Sequence, residues 1–402
     1  GEGSVSISGD PSGEHPKKPA PSVMSRAFLS RYRETCDEYD VRPRPELMVV
    51  LEEGIREGIV VEEMRLNGNS VELFHNRIKD FELFALAEAL ETHNIFSRID
   101  LSFNLIEDAG ATALSKVIRN VTSLISLDLS GNNISAEGAK SISNNLIGNS
   151  HFRQLSLRSN PISEGGGNNF ARMLKENEVL EELDLGNCDL KTTTILHLAN
   201  VLQSYNTSLL SLNISSPLLF SEEEETTLAL AHMLRENNTL EHLGLAQFRI
   251  QNTGADWIAN AMKSNTALRT LDLSGNLITM DGHELLADML RENQTLQNLD
   301  LSYNRVDLAA AVAYADALRE NEGLCRLYLN NCTIPDRGLA ALGKALLEGA
   351  CPSLRRLQVW GNFFDVESAG IFRRVEQELP ALKLDIVTYL VDESPQVAKA
   401  PN

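Results

Sequence analysis

The pattern L-x-x-L-x-L-x-x-[NC]-x-[LI] recurs along this chain, starting at Val61, Phe96, Leu124, Phe152, Leu180, Leu209, Leu240, Leu268, Leu296, Leu324 and Leu354. Successive starts lie 35, 28, 28, 28, 29, 31, 28, 28, 28 and 30 residues apart. Six equal spacings of 28 do not arise by chance, and a fixed period of about 20–50 residues means a repeat array rather than separate cores. Within the unit 268–295, Leu271, Leu273 and Ile278 follow a short-strand rhythm, and Leu286, Met289 and Leu290 follow helix spacing. Each unit is expected to be a strand, a loop and a helix. One unit cannot bury its own apolar side, so stacked neighbours must supply a continuous core, with a parallel sheet on the concave face and helices outside. The expected fold class is α/β, a solenoid. The 402 residues, whose length alone suggests two or three domains, become one quasi-linear array.

The motif resembles the leucine-rich repeat, in the 28-residue, ribonuclease-inhibitor-like subtype, over roughly residues 60–380. That resemblance implies a horseshoe. Asn69, Asn104, Asn132, Asn160, Asn276, Asn304 and Asn362 hold the ninth motif position, where a side-chain amide can bond the loop backbone, and Cys188 and Cys332 are expected as structural rungs at the same place. Gly110, Gly138, Gly254, Gly282 and Gly338 recur just before the expected helices, and Gly165 to Gly167 reads as a permissive turn in such a loop. Asn177, Asn237, Asn265, Asn293 and Asn321 follow the helices and suit a left-handed helix C-cap. Pro217 and Phe248 break the ninth position in mid-array. Nearby, Ser221 with Glu224 reads as a capping box, and the acidic run Glu222 to Glu225 as helix-start residues or a handle for a basic partner.

Four segments are expected: a disordered tail over 1–23, a helical N-terminal cap over 24–60, repeats over 61–380, and a C-terminal cap strand and tail over 381–402. The cap helices fall at 24–39 and 46–57, split by Pro43 and Pro45; a last helix falls at 368–379, and a closing strand at 384–391 precedes a loose tail.

With 36 Lys plus Arg against 56 Asp plus Glu, the net charge of -20 argues against nucleic acid and acidic membranes as partners. No apolar run is long enough to span a membrane, no secretory signal is visible, and the absent initiator Met points to a fragment. Five cysteines without C-x-x-C spacing fit a reducing compartment and no metal cage, so neither metal nor cofactor is expected.

Alternate strand residues face opposite sides, which puts the third, fifth and seventh motif positions in the concavity. They carry seven acids and five arginines, so most of the negative charge lies elsewhere. The last two rows hold Arg326, Tyr328, Asn330, Arg356, Gln358 and Trp360, with no acid. Arg, Tyr and Trp are enriched at protein-interface hot spots, which makes these six the candidate partner-binding residues; the competing reading is that Trp360 only covers the end of the core. Asp100 with Asp128, and Asp272 with Asp300, should stand about 4.8 Å apart on adjacent strands, but no His, Lys or nucleophile converges on either pair. Phosphate loops, dinucleotide fingerprints, H-E-x-x-H and nucleophile elbows are absent, His242 reads as surface, and no catalytic residue is expected.

Pro217-Leu-Leu-Phe-Ser-Glu-Glu-Glu-Glu-Thr226, Val359-Trp-Gly-Asn-Phe-Phe-Asp365 and Val387-Thr-Tyr-Leu-Val-Asp392 resemble corresponding stretches of the leucine-rich repeat-containing protein 34 family. The resemblance implies a non-catalytic, intracellular interaction scaffold, cytoplasmic or nucleolar, and a ciliary axoneme suits so long and acidic a chain. The alternative function is regulation of a small GTPase, since Ran GTPase-activating proteins share long repeats and acidity; against it, residues 392–402 lack a dense acidic tail.

Overall fold

The computed structural model describes residues 21–219 and 224–401. In each unit, alternating leucines such as Leu271 and Leu273 are wholly buried, and the three residues between loop and core form the strand, here Thr270–Asp272. Twelve such strands, from Glu63–Arg65 to Lys383–Leu384, form one sheet in sequence order. They pair parallel with no slip, so Leu271, Leu299, Leu327 and Leu357 stand side by side. A parallel connection needs a crossover, and each unit supplies it with a helix of about three turns on the convex side. The fold is the expected α/β leucine-rich-repeat solenoid.

From Arg98–Asp100 to Arg356–Gln358 the chain leaves each strand through a left-handed residue at the eighth motif position. Phe103, Ser159, Asn187, Ser216, Gln247, Tyr303 and Asn331 hold φ between 53 and 60°, and Gly131, Gly275 and Gly361 occupy the same place. The turn lets the eighth amide still reach the next strand, as Tyr303 N donates to Asn330 O at 2.8 Å. A left-handed non-glycine residue is strained by about 1–2 kcal/mol, which the repeated ladder bond offsets.

The ninth-position asparagines then lock units together. Asn132 Nδ2 donates to Leu129 O of its own unit at 2.9 Å and to Leu101 O of the preceding unit at 3.0 Å, while its Oδ1 accepts from Ile106 N at 3.1 Å. Cys188 and Cys332 occupy this rung buried, their thiols donating back to Leu157 O at 3.1 Å and Leu301 O at 3.3 Å. A thiol offers no good acceptor, and before Cys188 the loop compensates: Ile162 N turns to Asn160 O, and Ser163 flips to φ 58°. Asn69 departs from expectation. It lies exposed, its Oδ1 accepting from Arg77 at 2.8 Å, because its strand is the sheet's edge and no earlier unit offers it a carbonyl.

The asparagines after the helices also differ from the expected left-handed caps. Asn265, Asn293 and Asn321 have φ of -73, -84 and -92°, extended rather than left-handed. They are buried and form another inter-unit ladder. Asn265 Nδ2 reaches Leu234 O at 2.7 Å, and its Oδ1 accepts from Ala267 N and Leu268 N at 3.0 and 2.8 Å. Asn177 and Asn237 repeat the arrangement. The amide satisfies a helix-end carbonyl one unit back, which removes the need for a left-handed cap.

The recurrent glycines lie inside the first helical turns rather than before them. A Cβ on Gly138 would sit 2.6 Å from Asp108 Oδ1 and 3.0 Å from Ala111 Cβ, so neighbouring helices touch there. Gly165 to Gly167 likewise belong to the helix Ser163–Leu174. Close approach allows one helix to cap the next: Asp108 accepts from Ser135 N at 2.8 Å, Ser135 Oγ at 2.6 Å and Gly138 N at 3.0 Å. Asp108→Ala should lower stability by about 1–2 kcal/mol, the usual loss of an N-cap, and chemical denaturation with an unchanged midpoint would refute this role.

At the amino end the helices Pro21–Glu38 and Pro45–Glu57 lay Phe28, Tyr32, Leu47 and Leu51 on the first units, with Phe28 edge-on to Phe96 at 5.1 Å. The expected tail over 1–23 overlaps this first helix by three residues; residues 1–20 lie outside the described residues. Ser221, Glu222 and Glu223 also lie outside them, and with them the capping-box reading; Glu224 and Glu225 are exposed in the first turn of Glu224–Glu236. At the carboxyl end the last helix is Val366–Glu378. The loose tail is corrected: Ile386–Val391 pairs antiparallel with Ser394–Lys399, turned at Asp392 and Glu393, which hold φ of 46 and 66°.

Candidate partner-binding face

Strand alternation buries the fourth and sixth motif residues and turns the third, fifth and seventh into the concavity. The register places Arg326 beside Arg356 and Arg356 beside Lys383, while Tyr328 stands beside Gln358. Asn330 Nδ2 donates to Gln358 Oε1 at 2.7 Å. Trp360 is half-buried against the end of the core, the packing that the competing reading requires, yet it also borders an open cavity.

That cavity, about 600 Å³, is bordered by Tyr303, Arg356, Trp360, Lys383, Asp385 and Lys399. Of the six sequence-derived residues, Asn330, Arg356, Gln358 and Trp360 line it; Arg326 and Tyr328 sit on the neighbouring strand, outside its wall. Sequence reasoning missed Tyr303, Lys383, Asp385 and Lys399. Lys383 precedes Leu384 as Arg356 precedes Leu357, so one further row of the motif could have found it. Lys399 arrives on the returning hairpin strand, for which the sequence carries no repeat signal. Asp385 closes the array: its carboxylate accepts from Val359 N at 2.8 Å and Trp360 N at 3.3 Å, standing in for the backbone of a strand that does not continue. Burial pushes its carboxyl above the usual range against the pull of those two amides.

A second concavity of about 590 Å³ lies in mid-array, where Gly244, Ala246 and Ser215 leave the strand surface low between Arg158 and His242.

The paired carboxylates are occupied with structure. Asp272 and Asp300 are cross-strand neighbours, and each Oδ1 accepts from the amide two residues on, Ser274 N and Ser302 N, at 2.9 Å. Asp100 and Asp128 do the same. This is an Asx turn that ends the strand. Burial, helped by Asp272, raises the Asp300 carboxyl. Burial also holds the Cys188 and Cys332 thiols up at about 12, far from the thiolate a nucleophile needs. Among the described residues no three His, Cys, Asp or Glu side chains gather as a metal site, and no helix is long and apolar enough to cross a membrane.

A family model described as Leucine Rich repeat matches residues 96–115, 122–143, 264–287 and 292–313. Leucine-rich repeat-containing protein 34 of Mus musculus is 35% identical over 78 residues, 19% of this chain and 19% of that protein. The match therefore spans about a fifth of the curated relative. Among solved structures, leiomodin-1 actin-binding site 2 is 22% identical with a TM-score of 0.29, over 33% of this chain and 75% of that one. The tropomodulin C-terminal domain of Caenorhabditis elegans is 21% identical with a TM-score of 0.32, over 38% and 91%. Likeness at that level says nothing of what this chain binds. The recurring motif, the in-register parallel sheet and the matched family model agree that the chain carries leucine-rich repeats folded as a solenoid.

Proposed function

We propose that this chain is a non-catalytic interaction scaffold whose concave face, at its carboxyl end, grips one protein partner. Leucine-rich repeats support protein interaction in general, because stacked units present a large preformed surface. The single observation that carries the finer reading is the row of exposed Arg326, Arg356 and Lys383 beside Tyr328 and Trp360. In-register strands fix the backbone of these residues, so the ordering entropy that opposes binding falls on the side chains alone. Five unpaired cysteines favour a reducing compartment, cytoplasmic, with an axonemal or nucleolar assembly as the place to look by immunofluorescence.

Crosslinking mass spectrometry from native lysate should return a partner joined to the concave face near Lys383 and Lys399. Alanine at Arg356 or at Trp360 should each weaken that partner about tenfold or more in a pull-down, the loss typical of a hot spot. Full retention by both variants would remove this face from consideration.

A further inference from the structure

The third-position row changes character at its end. Arg326, Arg356 and Lys383 lie on three consecutive strands in register, all exposed. Like charges directly opposite in a sheet are destabilising, and adjacent strands are about 4.8 Å apart, so this triplet works against the fold that holds it. Elsewhere the protein answers such charges across units: Arg319 pairs with Glu348 at 2.8 Å, Lys263 with Glu292 at 2.7 Å and Lys344 with Glu367 at 2.8 Å. Among the described residues, no ion pair or side-chain hydrogen bond engages Arg326, Arg356 or Lys383. The nearest acid by position, Asp385, has its carboxylate turned to the Val359 and Trp360 amides and faces Lys399 besides. In a chain of net charge -20, three adjacent cations without counterions stand out.

Resting on the scaffold reading above, we propose that the partner enters this end as an acidic peptide segment, laid across the strands so that its carboxylates meet Arg326, Arg356 and Lys383. The three cations span two strand spacings, about 9.6 Å, which an extended peptide covers in about three residues. The segment therefore carries two or three Asp or Glu within four residues. The two guanidiniums can take carboxylates bidentately. Trp360 and Tyr303, flanking the cavity of about 600 Å³, offer an apolar wall for one neighbouring side chain. The overall negative charge disfavours a nucleic acid here, since approach of a long polyanion meets the field of the whole molecule.

Fluorescence anisotropy of the full chain tests this, with three labelled probes: a Glu/Ser peptide of about ten residues, its Gln/Ser counterpart, and a single-stranded oligonucleotide of similar length. The Glu peptide should bind, and should weaken as NaCl rises from about 50 to about 300 mM. Arg326→Gln, Arg356→Gln and Lys383→Gln combined should weaken it at least tenfold, while the melting temperature stays level or rises. A triplet with only a structural role would lower it. Equal affinity for the Gln peptide, undiminished binding by the triple variant, or tighter binding of the oligonucleotide would each overturn the proposal. If the Glu peptide fails while lysate crosslinks still map to this face, the acidic chemistry falls and the scaffold face stands. Crosslinks confined to the convex helices overturn both.

Discussion

Replacing Asn276 by leucine should lower the stability of the array by about 4 kcal/mol, the cost of leaving two buried amides and the carbonyls opposite them without partners. Its Oδ1 accepts from Phe248 N at 2.9 Å and Ile250 N at 3.0 Å, and its Nδ2 donates to Leu273 O at 2.8 Å and Leu245 O at 3.0 Å. Leucine fills the volume and answers none of these groups. Cysteine should be intermediate: its thiol can donate to the preceding unit, as Cys332 does to Leu301 O, but cannot accept from two amides. Because a repeat array opens locally, hydrogen exchange is the sharper readout alongside urea unfolding. The Phe248 and Ile250 amides should lose protection first. A leucine variant that loses less than about 1 kcal/mol would mean the loop amides find other acceptors.

Acidification should weaken the protein through His283 before its surface carboxylates matter. The imidazole is fully buried on the helix Met280–Glu292, its Nδ1 2.9 Å from the Tyr314 hydroxyl, and its Nε2 has no hydrogen-bond partner. Burial pushes its pKa down to about 4, against the opposing pull of Asp307 and of the Ile278 backbone. The folded pKa thus lies below the ordinary value, so the unfolded chain takes up the proton first. Stability attributable to this group is whole above about pH 6.5 and falls as pH drops toward 4, by about 3 kcal/mol over the window. His283→Gln keeps a polar partner for Tyr314 and should flatten that slope when melting is followed from pH 7.5 to pH 4.5. Parallel losses in both proteins would assign acid sensitivity to other groups.

The sheet and the concave rows were legible because spacing and alternation are local signals: once the 28-residue period is seen, Arg326 and Arg356 must be neighbours. What escaped was chemistry that joins one unit to the next. Asn265 and Asn293 looked like left-handed caps because a helix end, taken alone, must satisfy its own carbonyls. The amides instead serve Leu234 and Met262 of earlier units, which needs the fold in three dimensions. Asn69 failed oppositely, carrying the rung residue where no earlier unit exists. Ser394–Lys399 escaped because Pro395 and its few β-branched residues give no strand rhythm, although the strand pairs along its whole length with Ile386–Val391. With it went Lys399 from the candidate face.

The asparagine ladders also have a direction. Asn132 supplies bonds to Leu101 and Ile106, and Asn276 to Leu245 and Ile250, so wherever the rung is asparagine a unit is finished by the one that follows it. On a ribosome the chain emerges from its amino end, and a unit leaving the exit tunnel must wait for about 28 further residues before its loop amides are satisfied. The nascent array is always one unit short of complete, with its newest end the place where a chaperone or a misplaced neighbour could attach. Asp385, which takes the Val359 and Trp360 amides with its own carboxylate, ends that wait without requiring another unit.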